Sequence, residues 1–137
     1  MGEVLKYMVK YPWLEEYLLS KAGCTKDYKA EWEWHRYLVG GKMFAAIMHP
    51  SDKYDAAYAG KDLINLKCDP LTADVLRENH SEVLPGFYSD KRTWNSLDLC
   101  GGLPEEMVKQ MIDDSYQLVL EKLTKKAQKE ILQIKQF

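Results

Sequence analysis

The stretch Glu31-Trp32-Glu33-Trp34-His35-Arg36-Tyr37-Leu38-Val39-Gly40-Gly41-Lys42-Met43-Phe44-Ala45-Ala46-Ile47-Met48 decides the fold. Aromatic and branched residues flank a glycine pair, and glycines supply the positive φ angles that a tight hairpin turn requires. The spacing predicts a β-hairpin turning at Gly40-Gly41. Counting outward from the turn pairs Val39 with Lys42, Leu38 with Met43, Tyr37 with Phe44 and Trp34 with Ile47. Both faces of this ribbon then carry apolar groups, since side chains alternate along a strand. One face is expected to meet the core, which leaves the other for a different contact.

Upstream, Val4 to Ala22 is apolar at Leu5, Met8, Val9, Leu14, Tyr17, Leu18 and Leu19, the pattern of one broken or two abutting helices that end at Gly23. Downstream, Ile64, Leu66 and Cys68 alternate along a third strand over Lys61 to Cys68, after a polar loop from His49 to Gly60. Asp69-Pro70, a cap residue followed by proline at the first helical position, opens a helix running to about Asn79. Leu84-Pro85-Gly86 is a turn signal, and Phe87 to Cys100 then carries one or two short strands. A last helix starts at Leu103-Pro104-Glu105-Glu106 and buries Val108, Met111, Ile112, Ser115, Leu118, Val119 and Leu123, with room to continue past Thr124 to about Ile134. The expected fold is α+β, one domain over residues 1–137, in the order α-β-β-β-α-β-β-α, with an antiparallel sheet packed by helices.

Length and composition agree with one globular domain: 137 residues, 46% hydrophobic and 29% charged, which is far from the signature of disorder. The formal charge of -2 means that nucleic-acid affinity would have to come from a local basic patch. Cys24, Cys68 and Cys100 are odd in number and widely spaced, so they read as reduced thiols of a cytoplasmic protein. No basic leader with an apolar core follows Met1, and no window is apolar for long enough to span a membrane. Neither export nor insertion is expected.

His35, His49 and His80 form no HxxxH pair and the cysteines no CxxC clip, so no metal or cofactor is expected. Glu105-Glu106 and Asp113-Asp114 are adjacent on a helix, where neighbours diverge by about 100° and cannot act together on one substrate atom. An enzyme is therefore not expected. The residues that stand out are aromatic and basic: Trp32, Trp34 and Tyr37 share a strand, Lys42 begins its partner, and Lys91-Arg92-Thr93-Trp94 concentrates charge beside an indole. Core packing competes for the rings and helix-end charge compensation for the tail lysines Lys122, Lys125, Lys126 and Lys129.

Several blocks resemble the MmcQ/YjbR family of small bacterial proteins: Val39-Gly40-Gly41-Lys42-Met43-Phe44-Ala45, Ile64-Asn65-Leu66-Lys67-Cys68-Asp69-Pro70, Pro85-Gly86-Phe87, Lys91-Arg92-Thr93-Trp94-Asn95, Leu103-Pro104 and Ser115-Tyr116. They occur in the family's order across roughly residues 13–126. The resemblance implies the same α-β-β-β-α-β-β-α order, similar to type III secretion chaperones and described as a double wing, and it brings a DNA-binding label inferred from shape. Tyr88 and Thr93 stand where the family often has histidine, whereas Lys91, Trp94 and Asn95 match and are expected to pin the loop that enters a late strand.

Two functions follow as expectations. A nucleic-acid-binding module would set Lys42, Lys67, Lys91 and Arg92 on phosphates with Trp94 or Trp34 as a flat face. A protein-interaction or chaperone-like module, including a homodimer, would use the second face of the hairpin, through Trp32, Trp34, Tyr37 and Phe44.

Overall fold

A computed structural model describes residues 10–135. The part of the first helical stretch that holds Leu5, Met8 and Val9 lies outside the described residues. Six strands form one antiparallel sheet: β1 (Cys24–Lys29), β2 (Trp34–Val39), β3 (Lys42–Met48), β4 (Leu63–Lys67), β5 (Val83–Pro85) and β6 (Trp94–Asp98), in the spatial order β1-β2-β3-β4-β6-β5. Four helices accompany them: α1 (Leu14–Leu19), α2 (Pro70–Asn79), α3 (Glu105–Glu121) and α4 (Lys125–Lys135). The fold is thus the α+β arrangement expected, with one more strand ahead of the hairpin and the last helix in two pieces.

The added strand β1 lies at the sheet edge with its central residues exposed, so it carries no apolar period for a sequence reading to find. Its backbone ladder with β2, Cys24 opposite Val39 through Lys29 opposite Trp34, holds it, and across that pair Arg36 donates from Nε and Nη2 to the two carboxylate oxygens of Asp27 at 2.8 and 2.6 Å. Charged side chains on an edge also discourage pairing with another chain. The opposite edge, β5, occupies what reads as a turn signal, because proline is tolerated where a strand needs no further N–H partner. The break near Thr124 has a local cause: the Thr124 hydroxyl accepts from the Ala127 N–H at 3.1 Å and caps a new helix.

The hairpin register needs correction. Val39 faces Lys42 and Leu38 faces Met43, but Tyr37 then faces Ala45 and His35 faces Ile47. Phe44 is therefore the extra residue of a β-bulge and not the partner of Tyr37, and everything beyond it slips by one. The bulge puts Phe44 and Ala45, two successive residues, into the same core cluster. Ser115 of α3 bridges the irregularity, donating to the Phe44 carbonyl at 2.5 Å and accepting from the Lys67 N–H at 2.8 Å.

The large cluster lies between the sheet and the helices, with Leu14, Leu18, Tyr37, Val39, Phe44, Ile64, Leu66, Leu97, Val108, Ile112 and Val119 among its members. The other face of the sheet carries a smaller cluster of Trp34, Ala46, Met48, Leu63 and Phe87, none of which lies in a helix. The loop residues Tyr54 and Tyr58 pack against it.

Candidate ligand-binding cleft

Three segments meet over that second face: the turn at 30–33 between β1 and β2, the loop from His49 to Asp62 after β3, and the segment 86–91 before β6. Between them lies a cavity of about 150 Å³ lined by Glu31, Trp32, Glu33, Trp34, His49, Tyr54, Phe87 and Tyr88 among others. A neighbouring cavity of about 300 Å³ shares Trp32, Trp34 and Tyr88 with it and adds Met43 and Ser89. Aromatic faces dominate. Trp32 meets Trp34 edge-on at 5.3 Å, Tyr54 meets Phe87 and Tyr88 edge-on at 5.3 and 5.6 Å, and Phe87 stacks on Tyr88 at 4.6 Å. Yet Trp32 keeps 53% and Tyr88 71% of its surface exposed, so packing leaves more than half of each residue open.

The segment 86–91 is pinned by buried polar groups. Asn65 donates to the Phe87 carbonyl at 2.9 Å, the Phe87 N–H donates to the Ser96 hydroxyl at 2.8 Å, and that hydroxyl donates in turn to Asn65 Oδ1. Lys91 turns back to give its ammonium to the Gly86 carbonyl at 2.8 Å. Gly86 is required by close approach, because a Cβ there would sit 2.7 Å from the Trp94 Cβ. With its neighbours fixed in this way, Tyr88 is held at φ 49°, a left-handed conformation that a bulky residue avoids. The only other non-glycine residue at positive φ among the described residues is Glu33, at 59°. Both line the same cavity. Such strain costs of order 1–3 kcal/mol per residue and tends to be kept at binding sites.

The loop from His49 has its own anchor. Asp62 is 3% exposed, and its carboxylate oxygens meet His49 Nδ1 at 2.7 Å and the Cys100 thiol at 3.4 Å. With Nδ1 engaged, Nε2 of His49 has no hydrogen-bond partner among the described residues. The thiols are not poised for nucleophilic attack: burial pushes Cys24 up to about 11, and burial likewise raises Cys68 and Cys100, the latter helped by its bond to Asp62. Among the described residues no group of three His, Cys, Asp or Glu side chains is placed to hold a metal ion.

The residues expected to contact phosphates are not gathered. Lys91 is committed to the Gly86 carbonyl, the pinning role expected of it. Lys67 lies 5.7 Å over the Trp94 ring, and both are half-buried at one end of the open face. Arg92 is exposed beside Asp90 at 4.0 Å. Lys42 is exposed, but its register opposite Val39 puts it on the helix-covered side. The expected interaction surface is corrected more sharply: Trp34, Tyr37 and Phe44 are buried, and only Trp32 of the four is on the surface. Tyr37 and Phe44 belong to the helix-covered core because of strand parity and the bulge, whereas Trp34 forms the floor of the cleft. Sequence reading missed Glu33, His49, Tyr54, Phe87 and Tyr88, which come together only through loop paths. The one signal available was Tyr88, a departure from the pattern of the resembling family.

Residues 19–118 match the YjbR family. The chain is 26% identical to uncharacterized protein YjbR of Escherichia coli strain K12, covering 88% of this chain and 96% of that protein. It is 31% identical to uncharacterized protein YyaQ of Bacillus subtilis strain 168, covering 75% and 92%. The crystal structure of protein DR2400 of Deinococcus radiodurans superposes with a TM-score of 0.72 at 25% identity, over 86% of this chain and 84% of that one. A Pseudomonas syringae protein shares the fold with a TM-score of 0.65 at 24% identity, over 79% and 97%.

Proposed function

The chain belongs to the YjbR family, and we propose that this member is a protein-interaction module of the cytoplasm that holds a segment of a partner in the open-face cleft without transforming it. One observation carries the reading: the two strained residues Glu33 and Tyr88 border the same cavity, alongside the exposed Trp32. Strain and exposed aromatic area both cost stability, and a bound partner would offset them. No helix among the described residues is long and apolar enough to cross a membrane. Selection of displayed random octapeptides against the full chain tests the reading. Enriched peptides should bind the wild type and lose most of their affinity for Tyr88→Ala; enrichment that ignores Tyr88 would contradict it.

A DNA-binding role keeps one supporting feature, the Lys67–Trp94 pair with Arg92 nearby in sequence at one end of the open face. Phosphate contacts release counterions, so that role requires affinity for labelled single- or double-stranded DNA that falls steeply with salt, with a shallower slope for Arg92→Ala. Binding indifferent to salt would remove it.

A further inference from the structure

Resting on the peptide-binding reading, we infer that the group taken into the cleft is the guanidinium of an arginine side chain. The cleft offers three kinds of electron-rich surface, and its lining carries two carboxylates, Glu31 and Glu33, against one lysine. Its lining includes the rings of Trp32, Trp34 and Tyr88, and aromatic rings attract cations to their faces because the quadrupole is negative above the ring. Two lysines already exploit this at the rim, with Lys29 Nζ 5.2 Å from the Trp32 centroid and Lys53 Nζ 5.3 Å from that of Tyr54.

Carboxylates flank Trp32 on both sides in sequence. Glu31 is matched at 3.7 Å by Lys29, which helps hold its carboxyl below the usual range after its own backbone N–H has done so. Glu33 has no ion-pair partner among the described residues, although it lines the cavity and has a left-handed backbone there. The third element is His49, whose Nδ1 is taken by the buried Asp62. When the ring is neutral, Nδ1–H donates to that carboxylate and Nε2 remains an acceptor.

A guanidinium complements this set. It is planar, stacks on aromatic faces, carries five N–H donors in a rigid fork and accepts nothing. A lysine ammonium would satisfy the charge but not the flat wall. A phosphate would meet Glu33 and Glu31 instead of cations, with Lys53 as its one lysine on the cavity lining, and is disfavoured there.

The test follows the Trp32 and Trp34 indole N–H signals of the full chain by NMR during titration with blocked pentapeptides. The peptides carry one central residue among glycines: arginine, citrulline, lysine or norleucine. Citrulline keeps the planar shape and removes the charge. Saturable shifts are expected with arginine, with binding at least about tenfold weaker for citrulline and norleucine and several-fold weaker for lysine. Glu33→Gln, with its other signals unmoved, should weaken the arginine peptide by about fivefold or more and leave the citrulline peptide unchanged. Citrulline or norleucine binding as well as arginine overturns the guanidinium and leaves peptide binding standing. Methylguanidinium binding as tightly as the arginine peptide overturns the peptide source while keeping the chemistry. No shift with any of the peptides overturns both.

Discussion

The two faces of the sheet are built from the same strands by alternation, yet they are finished differently. On one face Ile64, Leu66 and Leu97 meet α1 and α3, and apolar contact is continuous from Leu14 to Val119. On the other, Trp34, Met48 and Leu63 meet loops, and the gaps are closed by buried polar pins, Asn65, Ser96 and Asp62. Helix packing removes apolar area from water without demanding unusual backbone. Loop covering demands specific hydrogen bonds, and here it holds two strained residues beside a cavity. The difference places most of the buried apolar packing on the first face, and the proposed function gives recognition to the second.

The comparison breaks most visibly at Ile112, which is fully buried beneath the sheet. Ile112→Ala should destabilise the fold by about 2–5 kcal/mol in chemical denaturation, as a deleted core side chain leaves an unfilled cavity. A loss under about 1 kcal/mol would mean that the helix face is not the main source of stability. Next is Asn65→Ala, which removes the amide donor to the Phe87 carbonyl and the acceptor of the Ser96 hydroxyl proton and should cost about 1–3 kcal/mol. Hydrogen exchange should show that cost concentrated in residues 86–91, and uniform loss of protection would contradict a local pin. A smaller effect of opposite sign sharpens the contrast. Asn95, buried on the helix side, has neither amide atom hydrogen-bonded, so Asn95→Leu should raise the unfolding free energy by about 1 kcal/mol. A drop would show that the amide is satisfied.

Much of the fold was legible because its signals are local. Gly40-Gly41 marks a hairpin and Asp69-Pro70 a helix start, as the pattern put them, and the last long helix buries Val108, Met111, Ile112, Ser115 and Val119 as expected, with Tyr116 and Leu120 buried where the pattern had Leu118 and Leu123, which are half-buried. Strand β1 was not legible, since an exposed edge carries no alternation, and the slip after Phe44 was not, since a bulge has no composition of its own. The cleft lies further from sequence. Glu33, His49 and Tyr88 lie on three separate segments of the chain and border one cavity because Asp62 anchors the loop from His49 while Asn65 and Gly86 fix the path of 86–91 beside the turn that carries Glu33. Of the residues that carry the family resemblance, Gly86, Lys91 and Ser115 prove to be structural pins, so matching them identifies the scaffold more readily than the ligand.

Tyr88→Gly tests the division between the faces most directly, because glycine adopts φ 49° freely while removing a ring that is largely exposed. Thermal unfolding and arginine-peptide titration of this one variant should diverge: the melting temperature holds or rises by a few degrees, and binding falls to background. A variant that melts well below the wild type, or that binds the peptide undiminished, would contradict the assignment of recognition to the strained, loop-covered face.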